Sequence, residues 1–87
     1  MRFVILPNVN GYKTAFNPAH VVKIEPDGHM DWSRKDEERL QKVFVPNEGK
    51  FTIVSTVGAG QAWNYETVCW TESLESLVEL FEKAVKS

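Results

Sequence analysis

Short β-type runs separated by turn residues, followed by one helical period at the end, constrain this chain more than any other feature in it. Arg2 to Leu6 is an apolar run ended by Pro7, and such runs of aromatic and β-branched residues read as buried strands. Asn8 to Gly11 carries turn chemistry, because Asn-Gly accepts the positive φ of a tight hairpin. Tyr12, Thr14 and Phe16 then alternate with Lys13 and Ala15 until Asn17-Pro18 breaks the ladder. From His20 to Glu25 the alternation predicts Val22 and Ile24 on one face and Val21 and Lys23 on the other, with Pro26-Asp27-Gly28 closing the strand. Three strands in so few residues imply an antiparallel meander.

The second half repeats the theme. Val43-Phe44-Val45 reads as a strand, Pro46-Asn47-Glu48-Gly49 as a turn, Lys50 to Thr56 as the return strand and Gly58-Ala59-Gly60 as the next hairpin. The strand from Ala62 to Trp70 contains a conflict of parity. Trp63 and Tyr65 sit at odd positions while Val68 and Trp70 sit at even ones, so a plain strand sends the two pairs to opposite faces. Either a bulge near Glu66-Thr67 reunites them, or one aromatic pair faces outward.

The helix signal is the clearest. Leu74, Leu77, Val78, Phe81, Ala84 and Val85 follow helical spacing, with Glu75, Glu79, Glu82 and Lys83 opposite. Thr71 or Ser73 can cap the start, and Glu75 and Lys86 suit the two ends of the helix dipole. A helix this short is marginal alone, so it is expected to lie across one face of the sheet. The expected fold class is therefore α+β: a curled, barrel-like antiparallel sheet of five or six strands covered by one C-terminal amphipathic helix.

Between the halves lies Trp32 to Lys42, dense in charge and nearly free of apolar residues. Ser33 followed by Asp36 resembles a weak capping box, so one or two helical turns and a mobile arm between strands both fit residues 31–42, within a charged insertion or arm of about 27–42. Residues 1–87 read as a single domain, and a domain of this size buries only about two-thirds of its unfolded surface. Its net charge is −2, which is not the basic balance that phosphate neutralisation requires. One cysteine, Cys69, permits no internal disulfide. With no long apolar run or signal segment in the sequence, a cytoplasmic protein without a membrane partner is expected.

Asn10-Gly11, Phe16-Asn17-Pro18-Ala19-His20-Val21-Val22-Lys23-Ile24-Glu25 and Val68-Cys69-Trp70-Thr71-Glu72-Ser73 together resemble the small FlbD family of flagellum-associated proteins. The resemblance covers about half the chain through turns and a helix start, and it implies a small β domain with a terminal helix. The chain departs from that family in a charged insertion, roughly 27 to 50, and in its tryptophans. Its size, aromatic load and arm are also similar in style to small phage-encoded regulators and inhibitors.

Chemistry-bearing sets are sparse. Asp27-x-His29-x-Asp31 has metal-type residues in alternation, but Asp27-Gly28 is better explained as a turn. Cys69 has acidic Glu66 and Glu72 nearby, which disfavours a thiolate. Gly58-Ala59-Gly60 lacks the Lys-Ser/Thr of a phosphate loop, and no hydroxyl has a base at useful spacing. No catalytic residue, metal or cofactor is expected.

What remains is aromatic and basic. Trp32, Trp63, Tyr65 and Tyr12 exceed the needs of a small core, and Arg34, Lys35, Arg39 and Lys42 line one polar arm. Trp, Tyr and Arg are enriched as anchors of protein interfaces, so the leading expectation is non-enzymatic binding of another protein, as a regulator or inhibitor. The alternative is capture of a small anionic or nucleotide-like ligand between subunits, with aromatic stacking worth about 1–3 kcal/mol per base. Unpaired strand edges make a homo-oligomer an expectation in either case.

Overall fold

The computed structural model describes residues 1–36, 39–57 and 62–87, with backbone only at 34–36 and 39. Strands β1 (Val4–Pro7) and β2 (Lys13–Phe16) form one antiparallel hairpin. A 3-10 turn at Pro18–His20 leads into β3 (Val21–Asp36), which pairs with β4 (Arg39–Val57), and β4 pairs with β5 (Ala62–Cys69). Helix α1 (Leu74–Lys86) closes the chain. The fold is α+β, and no described helix is long and apolar enough to cross a membrane.

The expected single curled sheet is replaced by two, of two and three strands. Their backbones are joined at one bridge, Asn8 to Val68, and at the Val9 amide, which donates to the Thr67 carbonyl at 3.2 Å. Asn8 makes this junction. It is 3% exposed, its Nδ2 donates to Glu66 Oε2 at 2.7 Å, and its Oδ1 accepts the Asn10 amide at 2.9 Å. That last bond is an Asx turn, and it sets the reversal that Gly11 completes at φ 92°. The tight turn is thereby pinned against β5.

The core lies between the two sheets and the helix. Val4, Leu6 and Phe16 pack with Ile53, Val68, Leu77, Phe81 and Ala84. Phe16 and Phe81 meet edge to face, with centroids 5.9 Å apart. β1 is buried on one face only, since Phe3 and Ile5 point outward. Asn17 caps the 3-10 turn by accepting the Ala19 amide. Ser73, and not Thr71, caps α1 by accepting the Ser76 amide at 3.1 Å. Of the expected helix stripe, Leu77, Phe81 and Ala84 are buried, Leu74 and Val78 are half-buried, and Val85 is exposed.

Two irregularities in β3 overturn local expectations. A bulge between Val21 and Lys23 makes Val22 the extra residue, so Val21 and Ile24 pack against the core while Val22 faces out. The second is larger. Pro26 pairs with Phe51 and Gly28 with Pro46, so β4 spends the four residues Asn47 to Lys50 opposite Asp27 alone. The turn residues expected to end two strands instead put a bend into one continuous ribbon.

Beyond this bend β3 and β4 run on as a two-stranded arm, because β5 accompanies β4 only from Lys50 to Val57. Gly28 to Asp36 spans about 25–30 Å at roughly 3.3 Å per residue. The molecule accordingly measures 52 × 29 × 25 Å, with a radius of gyration of 15.6 Å against about 12 Å for a compact domain of this length. Of the two forms the sequence allowed for 31–42, helix or arm, the described residues 31–36 and 39–42 are strand and not helix.

Candidate functional site

The arm's register sorts its side chains. Met30 pairs with Phe44, Trp32 with Lys42, and Arg34 with Leu40. Residues opposite one another share a face of an antiparallel ladder, so Met30, Trp32, Leu40, Lys42 and Phe44 lie on one side. His29, Asp31 and Ser33 lie on the other with Gln41, Val43 and Val45. The first face is apolar and open: Met30 is 50% exposed, Trp32 62%, Leu40 57% and Phe44 48%. None of the described residues forms a layer over it.

The bend that carries this face is built from Asp27 and Gly28. The Asp27 carboxylate accepts from Asn47 Nδ2 at 2.8 Å and from Thr52 Oγ1 at 3.3 Å, so it ties both ends of the four-residue excursion to β3. Gly49, at φ 73°, turns the excursion back, and its carbonyl accepts the Trp70 amide at 2.9 Å. At Gly28 an added Cβ would collide with the Val45 carbonyl and stand 2.5 Å from Phe44 Cζ. The Phe44 ring therefore lies across the Gly28 backbone, which anchors the root of the apolar strip. Asp27 is thus a hydrogen-bonding acceptor of the bend, and His29 and Asp31 are exposed on the arm beyond it. No group of three His, Cys, Asp or Glu suited to a metal occurs among the described residues.

A second aromatic surface lies on the sheet. β5 pairs with β4 without a bulge, so the parity conflict is resolved by exposure: Val68 is fully buried and Trp70 half-buried, while Trp63 and Tyr65 are 56% and 66% exposed. Val54, paired with Tyr65 and with Lys23, is buried beneath them, and Lys23 forms an ion pair with Glu25 at 3.1 Å alongside. Trp70 turns inward to the helix start, where its indole N–H donates to Ser76 Oγ at 3.1 Å.

The sequence-predicted site residues therefore fall in three places. Trp32 and Lys42 face each other on the arm, Trp63 and Tyr65 share the outer face of β5, and Tyr12 is exposed in the β1–β2 turn. The backbones of Arg34, Lys35 and Arg39 belong to the distal arm; their side chains, like Gly58-Ala59-Gly60, lie outside the described residues. Sequence reasoning missed Met30, Leu40 and Phe44, whose even numbering alongside Trp32 and Lys42 was the available signal.

Two open grooves flank the helix. One, of about 280 Å³, lies between the start of β3 and α1 and is lined by Val21, Val22, Ile24, Val78, Phe81 and Val85 among others. The other, of about 490 Å³, runs between the start of β1 and the helix end, with Phe3, Ile5, Leu80 and Lys83 in its walls. Neither is lined by the aromatic and basic residues singled out from the sequence.

No family model matches the chain, and no curated protein or solved structure matches it at a significant level.

Proposed function

We propose that this protein is a non-enzymatic interaction module, a regulator or inhibitor that engages another protein chain through its β-ribbon arm. The observation that carries this reading is the strip Met30, Trp32, Leu40 and Phe44, four large apolar side chains about half exposed or more on one face of a projecting ribbon. Side chains of this size offer about 150–250 Å² each when fully exposed, so the strip leaves roughly 400–500 Å² open to water. At about 25 cal/mol per Å², covering it is worth on the order of 10 kcal/mol before the costs of association. An apolar patch of this extent matches the largest found on typical monomeric proteins, which is often functional. Trp32, at the centre of the strip with Lys42 beside it, is the anchor residue.

A nucleotide-like ligand is supported by one feature, the cross-strand pairing of Trp32 with Lys42 on one face of the arm. Such a pair can stack a base and meet a phosphate, but a flat ribbon encloses nothing without a second protein surface.

The test is native mass spectrometry of tagged protein recovered from host lysate, run beside a Trp32→Ser, Phe44→Ser double variant. A polypeptide at fixed stoichiometry that the variant loses supports the module. Retention of the same polypeptide by the variant refutes the arm as the contact. A bound species of a few hundred daltons, released by Trp32→Ser, would instead establish the ligand reading.

A further inference from the structure

We infer that the partner of the arm's apolar face is the same face of a second copy, the two arms stacking side by side with their bodies at the same end. This rests on the reading of the arm as an interaction element and names its occupant.

The argument begins with the pairing along the ribbon. A two-fold axis parallel to the strands, lying between two stacked ribbons, preserves each level along the arm and exchanges its two strands. Met30 then meets the partner copy's Phe44, since the two are opposite one another within one arm. Thioether sulfur against an aromatic ring is a favourable contact. At the next level Trp32 meets the partner copy's Lys42, an ammonium over an indole face. Each contact occurs twice by symmetry, and Leu40 continues the strip toward the tip.

The other two-fold stack, with its axis across the strands at the Trp32–Lys42 level, sets Trp32 on Trp32 and Lys42 on Lys42. It brings like charges together as an apolar face is being dried. The parallel stack avoids this juxtaposition and is favoured over the antiparallel stack in that register.

Area agrees with this assignment. Two strips of roughly 400–500 Å² remove about 800–1,000 Å² from water in total, the low end for a specific and reversible interface. The apolar surface thus suffices for a concentration-dependent dimer. The alternative route to self-association, pairing at the β3 edge of the body, is obstructed by the Val22 bulge, a device that blunts edge pairing.

The experiment is analytical ultracentrifugation of the whole chain from low micromolar to several hundred micromolar. Circular dichroism checks that each variant is folded. The expected result is a reversible shift from one 9.9 kDa chain to two. Trp32→Ser and Phe44→Ser should each weaken the dimer at least tenfold, while Trp63→Ser, on the other aromatic surface, leaves it unchanged. Lys42→Gln decides the geometry: it weakens a parallel stack by removing the cation over the ring, and strengthens the antiparallel one by relieving repulsion.

A wild-type chain that stays monomeric throughout overturns the inference, as does a dimer indifferent to the arm variants or one that Lys42→Gln tightens. A monomer whose lysate partner still depends on the arm removes only the second copy as occupant. A monomer whose captured material is unaffected by the arm variants removes the interaction reading as well.

Discussion

Replacing Phe81 by alanine is expected to cost about 3–4 kcal/mol of stability. Phe81 is 5% exposed and meets the β1–β2 hairpin edge-on at Phe16, with ring centroids 5.9 Å apart and the rings inclined at 69°. Phe-to-Ala changes in cores cost about 3–5 kcal/mol, of which an edge-to-face aromatic pair supplies roughly 0.5–1.5. The lower part of the range applies because Phe81 also borders the open groove beside β3, where water can enter the space the ring vacates. A chain of this length has a total stability of about 4–13 kcal/mol, so the variant keeps about 0–10 kcal/mol and is partly unfolded at room temperature only if the parent lies at the low end. Urea unfolding followed by far-UV circular dichroism measures the loss, provided the slope with denaturant is unchanged. A cost below about 1 kcal/mol at unchanged slope would refute the packing of the helix on the hairpin. A cycle with Phe16→Leu and Phe81→Leu isolates the ring contact, with a coupling of about 0.5–1.5 kcal/mol expected.

Three further substitutions probe other joints. Trp63→Ala removes a side chain that is 56% exposed and should change stability by about 0.5 kcal/mol or less; a loss above about 2 kcal/mol would show that the indole packs inward. Asn8→Ala strips the half-buried Glu66 carboxylate of its 2.7 Å donor and releases the turn that joins the two sheets, for an expected cost of about 1–3 kcal/mol in the same urea assay; a neutral result would mean that the Asn8 side chain contributes nothing to joining the sheets. Gly28→Ala places a methyl group against the Val45 carbonyl and the Phe44 ring, so amides of residues 29–36 and 39–45 should exchange faster while those of Ile53 and Val68 keep their protection; uniform acceleration would mean that the arm and body unfold as one unit.

Periodicity carried the parts of the fold in which one side of an element is buried. Leu77, Phe81 and Ala84 on α1 were legible because burial on one face forces a pattern into the chain, whereas the apolar run of β1 hid that Ile5 faces outward while Val4 and Leu6 are buried. Sheet membership was not legible. The two sheets are joined at Asn8, whose turn bonds are local but whose bond to Glu66 spans 58 residues. No window of sequence contains both partners. The bulge at Val22 failed to register for a related reason. One extra residue inverts the face of its neighbours, and Val21, Val22 and Ile24 offer apolar side chains to either assignment.

The arm shows why turn chemistry is an ambiguous signal. Asp27-Gly28 and Pro46-Asn47-Glu48-Gly49 have the composition of chain reversals, and in isolation each would fold the chain back on itself. Here they stand across from one another on paired strands. The Asp27 carboxylate, which would otherwise bond its own backbone, reaches Asn47 and Thr52 on β4. The conformational freedom that makes a turn is spent on bending a ribbon whose pairing resumes at Gly28–Pro46. Once the pairing resumes, the alternation of Met30 and Trp32 against Leu40, Lys42 and Phe44 becomes a continuous apolar face. In the linear sequence those residues are diluted by the charges between them, so the segment reads as a solvated polar arm. The candidate site was therefore half visible: its anchor, Trp32, stands out by residue type alone, whereas the surface around it exists only through cross-strand register.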